Sequence, residues 1–308
     1  MLTMKLISDE QVRSALTLSE SSAAVRAAFI ADARGRATSL QRTRKQLGDI
    51  TLSVMGGVLA DAHMCGAKVY STLAGQFDFV VVLFDTRDGR YLASVQGNAL
   101  TEFRTAATTR VAVESQLPEN ATTLTMFGAG VQARAHIAAL LELGVFKRVF
   151  IISKGDAPAL AATLKRSHPA VEFVTDDVDA AVSQADVLVT CTRSATALFD
   201  GARLKPDVFV AAIGSSKPQT RELDDTTLAR ASRIIVEHKE QARKEAGDLL
   251  MAKEGIVDWD KVEELGAVLA AADAAPARRT SGMTVYKSVG IGLVDVALSA
   301  LVYRKLEM

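Results

Sequence analysis

At 308 residues the chain is long enough for two domains, and 49% hydrophobic with 23% charged residues is the make-up of a globular protein with a sizeable core. Its 36 Lys and Arg cancel its 36 Asp and Glu, so the charge balance carries no nucleic-acid footprint. No uncharged apolar run of about 18 residues is present, which argues against a transmembrane helix. In chain order, residues 8–34 are expected to be helical, with Ser8 and Gln11 at capping-box spacing. Residues 40–95 are expected to be strands. Phe79–Phe84 and Tyr91–Val95 flank the turn Asp85–Arg90 as a hairpin. A helix is expected over 101–116 with Thr101 as its N-cap. Pro118-Glu119-Asn120 then marks a domain boundary.

From there strands and helices alternate. Thr122–Phe127 is an expected strand, Gly130–Leu143 a helix and Arg148–Ile152 a strand. Val171–Val174, Val187–Thr190 and Val208–Ile213 are further strands. Such alternation implies a parallel sheet covered on both faces. Residues 284–305 read as a last helix. The expected fold class is α/β, a Rossmann-type doubly wound sheet over 118–283 beside an α+β domain made of 1–117 and 284–308.

The sharpest local signal is Gly128-Ala129-Gly130-Val131-Gln132-Ala133, a G-x-G-x-x-A loop that follows an apolar strand and opens a helix. That is the context a dinucleotide fingerprint needs. Gly128 permits the turn, Gly130 lets the backbone approach a pyrophosphate, and Ala133 keeps helix and sheet close. The helix N-terminus offers N–H donors to phosphate. A tight turn without ligand would carry the same glycines. An acidic residue about 20 positions on is usual for NAD. Here the second strand ends in Ser153-Lys154, and a hydroxyl beside an ammonium suits a 2′-phosphate, so NADP(H) is favoured with NAD(H) left open. Thr190 and Gly214 at strand ends complete the expected cofactor set. So do Val289 and Gly290, because a glycine beginning a long helix allows close backbone approach.

The two cysteines, Cys65 and Cys191, have no CxxC spacing, and none of the four histidines is paired at metal-ligand spacing. A reducing compartment follows, and no metal is expected. The N-terminal MLTMKLISDEQVRSAL lacks an apolar signal core, so the expected location is the cytoplasm. His136, one and a half turns past the glycine loop, is read as packed on the cofactor helix.

Three stretches occur in order along the chain: QGNALTEFRTAA over 96–107, GAGVQA over 128–133 and KSVG over 287–290. Together they resemble the ornithine cyclodeaminase/mu-crystallin family. The resemblance implies a homodimer paired through the non-Rossmann domain, which also binds substrate. It implies too that Arg42, Lys68 and Arg104 hold a substrate carboxylate. The chemistry agrees, since guanidinium offers a planar fork to carboxylate and ammonium a compact charge. Arg104, placed in a first helical turn, would sit against the dipole unless an anion were near.

One departure matters. In the cyclodeaminases of the family a G-x-D loop follows the strand that here ends at Gly214, and the aspartate acts on the substrate amine. Ser216 stands in its place, and a hydroxyl can only hydrogen-bond. Lys68, Arg104 and Ser216 are therefore the candidate catalytic residues. The function expected is NAD(P)H-dependent reduction of small cyclic imino acids, Δ1-pyrroline-2-carboxylate or Δ1-piperideine-2-carboxylate, to proline or pipecolate. Three alternatives stay open: an ornithine cyclodeaminase, an alanine dehydrogenase-like enzyme, and a non-catalytic small-ligand-binding protein. The proton donor also stays open between Lys68, a water held by Ser216 and protonation in solution.

Overall fold

The computed structural model describes residues 5–274 and 281–307. The chain divides into two compact units, residues 1–108 with 291–308, and residues 109–290.

The first unit begins with β1 (Leu6–Ile7), α1 (Asp9–Ala15) and α2 (Leu18–Ala33). Ser8 and Thr17 each form a reciprocal capping box, so the expected helical stretch is two helices broken at Leu16. Five strands follow: β2 (Ala37–Leu47), β3 (Ile50–Leu59), β4 (Met64–Leu73), β5 (Gln76–Asp85) and β6 (Tyr91–Gln96). They form one sheet in the order β1-β6-β5-β4-β3-β2, antiparallel except for β1 against β6. The expected hairpin is β5–β6. Next comes α3 (Gly97–Gln116).

Thr101 lies inside α3 and does not cap it. Its Oγ1 donates back to the Gly97 carbonyl, while Asp9 Oδ1 accepts from the Ala99 N–H at 2.8 Å. A carboxylate brought from α1 thus does the work expected of the local threonine. Arg104 accordingly lies in the second turn, beyond most of the dipole's reach.

The second unit alternates strands and helices. In order these are β7 (Thr123–Phe127), α4 (Val131–Leu141), β8 (Arg148–Ile152), α5 (Ala157–Ser167), β9 (Glu172–Thr175), α6 (Val178–Ser183), β10 (Val187–Thr190) and β11 (Phe209–Ala212). Then come α7 (Asp225–Arg230), β12 (Arg233–Val236), α8 (Lys239–Glu245), α9 (Gly247–Leu250), β13 (Glu263–Glu264), α10 (Leu265–Ala274) and β14 (Thr284–Lys287). All eight strands are parallel, ordered β13-β12-β14-β11-β10-β7-β8-β9. Strand order reverses between β7 and β10, the switch point of a doubly wound sheet. The core is built from fully buried β10 and β11 residues such as Leu188 and Val210, with Leu223 and Leu249 packed beside them.

The reading of 284–305 as one helix is corrected. Residues 284–287 are β14, buried on both faces between β11 and β12, and α11 (Gly292–Glu307) begins five residues later in the first unit. A strand covered on both faces loses its period-two alternation, so it runs into the following apolar helix without a visible break. The compact second unit runs from Thr109 to Gly290, and the expected 118–283 lies within it.

Candidate active site

Parallel register brings the expected cofactor residues of the second unit to one edge. Phe127 pairs with Ile152 and Thr190, Thr190 with Ala212, and Ala212 with Lys287. The residues that follow these strand ends are Gly128, Ser153, the Gly214 loop and the Val289-Gly290 turn. Gly128 has φ +124°, and a Cβ there would stand 2.8 Å from the Cys191 carbonyl oxygen. Gly130 differs: it is the N-cap of α4 with no side-chain cap, and a Cβ there would meet nothing within 4 Å. An open approach to an uncapped helix N-terminus suits a pyrophosphate, with Ala129 in the turn and Val131 and Gln132 opening the helix. The residues present thus fit a dinucleotide.

At the end of β8, Lys154 is exposed, and Ser153 Oγ accepts from the Gly155 N–H at 3.0 Å. Asp156, the first carboxylate after β8 in sequence, caps α5 by accepting from the Ala159 N–H at 2.9 Å. His136 is fully buried. Its Nδ1 lies 2.7 Å from the Gln132 carbonyl, which can only accept, so that nitrogen carries hydrogen; Nε2 meets Thr109 Oγ1 at 2.9 Å. The ring serves to tie α4 to the C-terminal half of α3.

Behind this edge lies a set of buried carboxylates to which the sequence reading assigned no role. Glu222 accepts from Thr190 Oγ1 (2.7 Å), the Thr192 N–H (2.8 Å) and the Gly214 N–H (2.8 Å). Thr190 therefore turns its hydroxyl to Glu222. Glu237 accepts from the Val289 and Gly290 N–H groups at 2.9 and 2.6 Å and from Ser288 Oγ at 2.8 Å. Gly290, with φ +75°, belongs to this loop and does not begin α11. Asp248 accepts from the N–H groups of Glu222 and Leu223. It also pairs with Lys287 at 2.8 Å, both fully buried. Burial pushes the Asp248 carboxyl up, but the Lys287 ammonium and the two N–H donors outweigh this and hold it below the usual range. Lys287 Nζ in turn donates to the carbonyl of Ser215 at 2.7 Å. The loop carrying half-buried Ser216 is thus fastened through Gly214 and Ser215. Deleting one partner of such a pair typically costs about 3–5 kcal/mol, because the other charge is left buried alone.

The three expected carboxylate-binding residues lie in the first unit, on β2, β4 and α3. Arg42 lies within a register shift in β2, and its Nε donates to Met55 Sδ at 3.3 Å. Met55 pairs across the sheet with Lys68, so Arg42 and Lys68 share one face. Lys68 Nζ donates to Thr101 Oγ1 at 2.5 Å and to Asp295 Oδ1 at 3.0 Å, and lies 4.1 Å from the Phe79 ring centroid. Arg104 Nε stands 3.5 Å from the same Asp295 oxygen. Burial is the main force on Lys68. Asp295 pulls its pKa up and the two arginines push it down, and the result is about 8. Arg42 thus lies close enough to act on the Lys68 charge, while Lys68 and Arg104 are brought together on one carboxylate, Asp295, which the sequence reading missed. Its signal was present: a lone acid in the otherwise apolar GLVDVALSALV of α11.

Glycines explain how α11 reaches this sheet. A Cβ on Gly292 would stand 2.1 Å from the Gly56 nitrogen, and one on Gly57 3.0 Å from Leu293 Cα. Backbone meets backbone at these points. Asp295, three residues after Gly292, shares its helix face and so is lowered onto Lys68. Among the described residues no group of His, Cys, Asp and Glu could hold a metal ion, and no helix is long and apolar enough to cross a membrane.

Comparisons with known proteins show what the chain as a whole is similar to. Over 225 residues the chain is 35% identical to the mouse ketimine reductase mu-crystallin, covering 72% of this chain and 68% of that protein. Over 230 residues it is 31% identical to Δ1-pyrroline-2-carboxylate reductase of Bacillus cereus, covering 73% and 70%. Iminosuccinate reductase of Paracoccus denitrificans is 29% identical over 97% of this chain and 95% of its own. Among solved structures, a probable ornithine cyclodeaminase from Bordetella pertussis superposes with TM-score 0.92 at 39% identity, covering 99% of this chain and 97% of that one. Δ1-pyrroline-2-carboxylate reductase of Thermococcus litoralis, in complex with NADH and L-proline, superposes with TM-score 0.90 at 25% identity, covering 99% and 98%. The model of the ornithine cyclodeaminase/mu-crystallin family matches residues 3–308, and the chain belongs to that family.

Proposed function

We propose that this protein is an oxidoreductase that reduces the C=N bond of small cyclic imino acids, Δ1-pyrroline-2-carboxylate or Δ1-piperideine-2-carboxylate, with NADPH favoured over NADH. The observation that carries this reading is the cluster of Arg42, Lys68 and Arg104, in which Lys68 and Arg104 meet one carboxylate, Asp295, and Arg42 lies near enough to Lys68 to act on its charge. A small substrate carboxylate suits such a group of cations, because a guanidinium presents a planar fork to a carboxylate. A bound nicotinamide supplies the hydride. The chain's own residues hold the carboxylate and exclude water, so catalysis is chiefly positioning. Ser216 in place of an aspartate supports reduction of a preformed imine over deamination, because a hydroxyl cannot serve as base toward an amine. The lack of a carboxylate other than the capping Asp156 at the end of β8, together with exposed Lys154, supports NADP(H).

A second reading rests on the same cluster. A group of three neighbouring basic side chains also suits a dicarboxylate imine, and the likeness to the Paracoccus iminosuccinate reductase spans nearly the whole chain. One panel decides: oxidation of NADPH and NADH is followed with the five- and six-membered cyclic imino acids and with iminosuccinate. Turnover of the cyclic imines supports the first reading and turnover of iminosuccinate alone the second. Ammonia release from ornithine, or activity only with pyruvate plus ammonia, would replace both. The protein is further proposed to be a cytoplasmic homodimer, paired through the bare face of the antiparallel sheet.

A further inference from the structure

We propose that Asp295 is a positioning residue for proton delivery, holding Lys68 as the ammonium that protonates the substrate imine. The inference rests on the imine-reductase reading above. It starts from an arrangement that substrate binding alone does not require. Carboxylate recognition needs cations, and an acid of the same sign as the ligand weakens it. Yet Asp295 is fully buried, 3.0 Å from Lys68 and 3.5 Å from Arg104, and its Oδ2 has no hydrogen-bond partner among the described residues. A buried carboxylate oxygen without a partner costs stability. The fold makes room for it, since a Cβ on Gly57 would meet Leu293 of α11 and one on Gly292 would meet the Gly56 backbone of β3.

Its effect on Lys68 follows from charge. The groups facing the ammonium are Asp295 from α11, Arg104 and Thr101 from α3, Arg42 from β2, Tyr70 from its own strand and the Phe79 ring from β5. Two of these are cations and one is an anion. Burial and both arginines favour the neutral amine, and Asp295 alone opposes them. The outcome, about 8, leaves Lys68 protonated at neutral pH but ready to part with the proton. In the step, an N–H bond of Lys68 breaks and an N–H bond forms at the imine nitrogen as the imine carbon accepts hydride from the reduced nicotinamide nucleotide. The C=N π pair goes to nitrogen, the nucleotide is oxidised, the imine becomes an amine, and Lys68 regains a proton from water.

The test uses the full-length enzyme and its Asp295→Asn, Asp295→Glu and Lys68→Arg variants. Two quantities are followed: the pH profile of kcat/KM for the imine turned over by the wild type, and the 13Cε-lysine NMR titration of Lys68. The NMR signal is assigned by its loss in Lys68→Arg. In the wild type both should show a group titrating near 8. In Asp295→Asn the alkaline limb and the NMR midpoint should move down together by about 1–3 pH units, and Asp295→Glu should restore much of the shift. Lys68→Arg keeps the charge but cannot release a proton at these pH values. It should lower kcat by about 100-fold or more, leave KM within a few-fold and abolish the limb. Unchanged titration in Asp295→Asn overturns the role of Asp295. If that variant does not fold, a Lys68→Arg enzyme with wild-type kcat and an intact alkaline limb overturns the proposal instead. A wild type that reduces no imine defeats the functional reading, whereas the NMR titration still judges the Asp295–Lys68 coupling by itself.

Discussion

At the scale of single residues, the site is a matter of charge held out of water. Arg104 is nearly buried and its guanidinium faces Asp295, so its alignment is set before any ligand arrives. On the proposed reading, replacing it with alanine removes one charge-assisted contact to the substrate carboxylate, worth about 1.5–3 kcal/mol. The expected outcome for Arg104→Ala is a fall in kcat/KM of about 10–150-fold, with KM raised, measured on the imine that the wild type turns over. Intact activity would show that the carboxylate is held elsewhere. Lys154→Ala makes the complementary check on the nucleotide. The residue is exposed and follows a strand end without a diol-binding acid, so its loss should raise KM for NADPH by about tenfold and leave KM for NADH nearly unchanged. Equal effects on both nucleotides would remove the argument for NADP(H). Arg42, Lys68 and Arg104 were legible at this scale because the family pattern marks them. Asp295 was not, because its meaning depends on a partner 227 positions away.

At the scale of elements, the glycines of β3 and α11 decide where the acid goes. Gly292 does not need unusual φ; it needs room, since a Cβ would overlap the Gly56 backbone. Gly292→Ala should therefore cost about 1–3 kcal/mol, seen as a lower thermal midpoint. It should also weaken imine turnover more than nucleotide binding, because α11 would carry Asp295 away from Lys68. A variant as stable and active as the wild type would show that the helix start tolerates the displacement. The second unit solves the same problem of placement with buried carboxylates. Glu222, Glu237 and Asp248 each accept from backbone N–H groups, so the loops at 214 and 289–290 are pinned from behind. The helix and strand pattern of β7, α4 and β8 was legible because local period and glycine punctuation agree. β14 was not, because a strand buried on both sides has no alternation to read.

At the scale of the whole molecule, the six-stranded sheet leaves an apolar surface uncovered. Leu40, Ile50, Leu52, Val58, Leu73 and Val80 are each more than a third exposed, and cross-strand register places them on one face. An antiparallel sheet with a solvated face normally alternates to polar residues there, and a patch of this kind marks an interface. Leu52→Asp should convert a dimer into a monomer in sedimentation velocity at micromolar concentration. A wild-type monomer, or a dimer unmoved by the substitution, would place the contact elsewhere. The sequence by itself determined the α/β class, the glycine turn, the three cations and the serine in place of an acid, because each is carried by local pattern or by a motif. Only the tertiary structure decided that α3 is capped by Asp9 and not Thr101, that residues 284–287 are a strand, and that Asp295 meets Lys68 and Arg104. Those outcomes depend on which distant backbones can approach closely enough to share a charge or a hydrogen bond, and no local period records that.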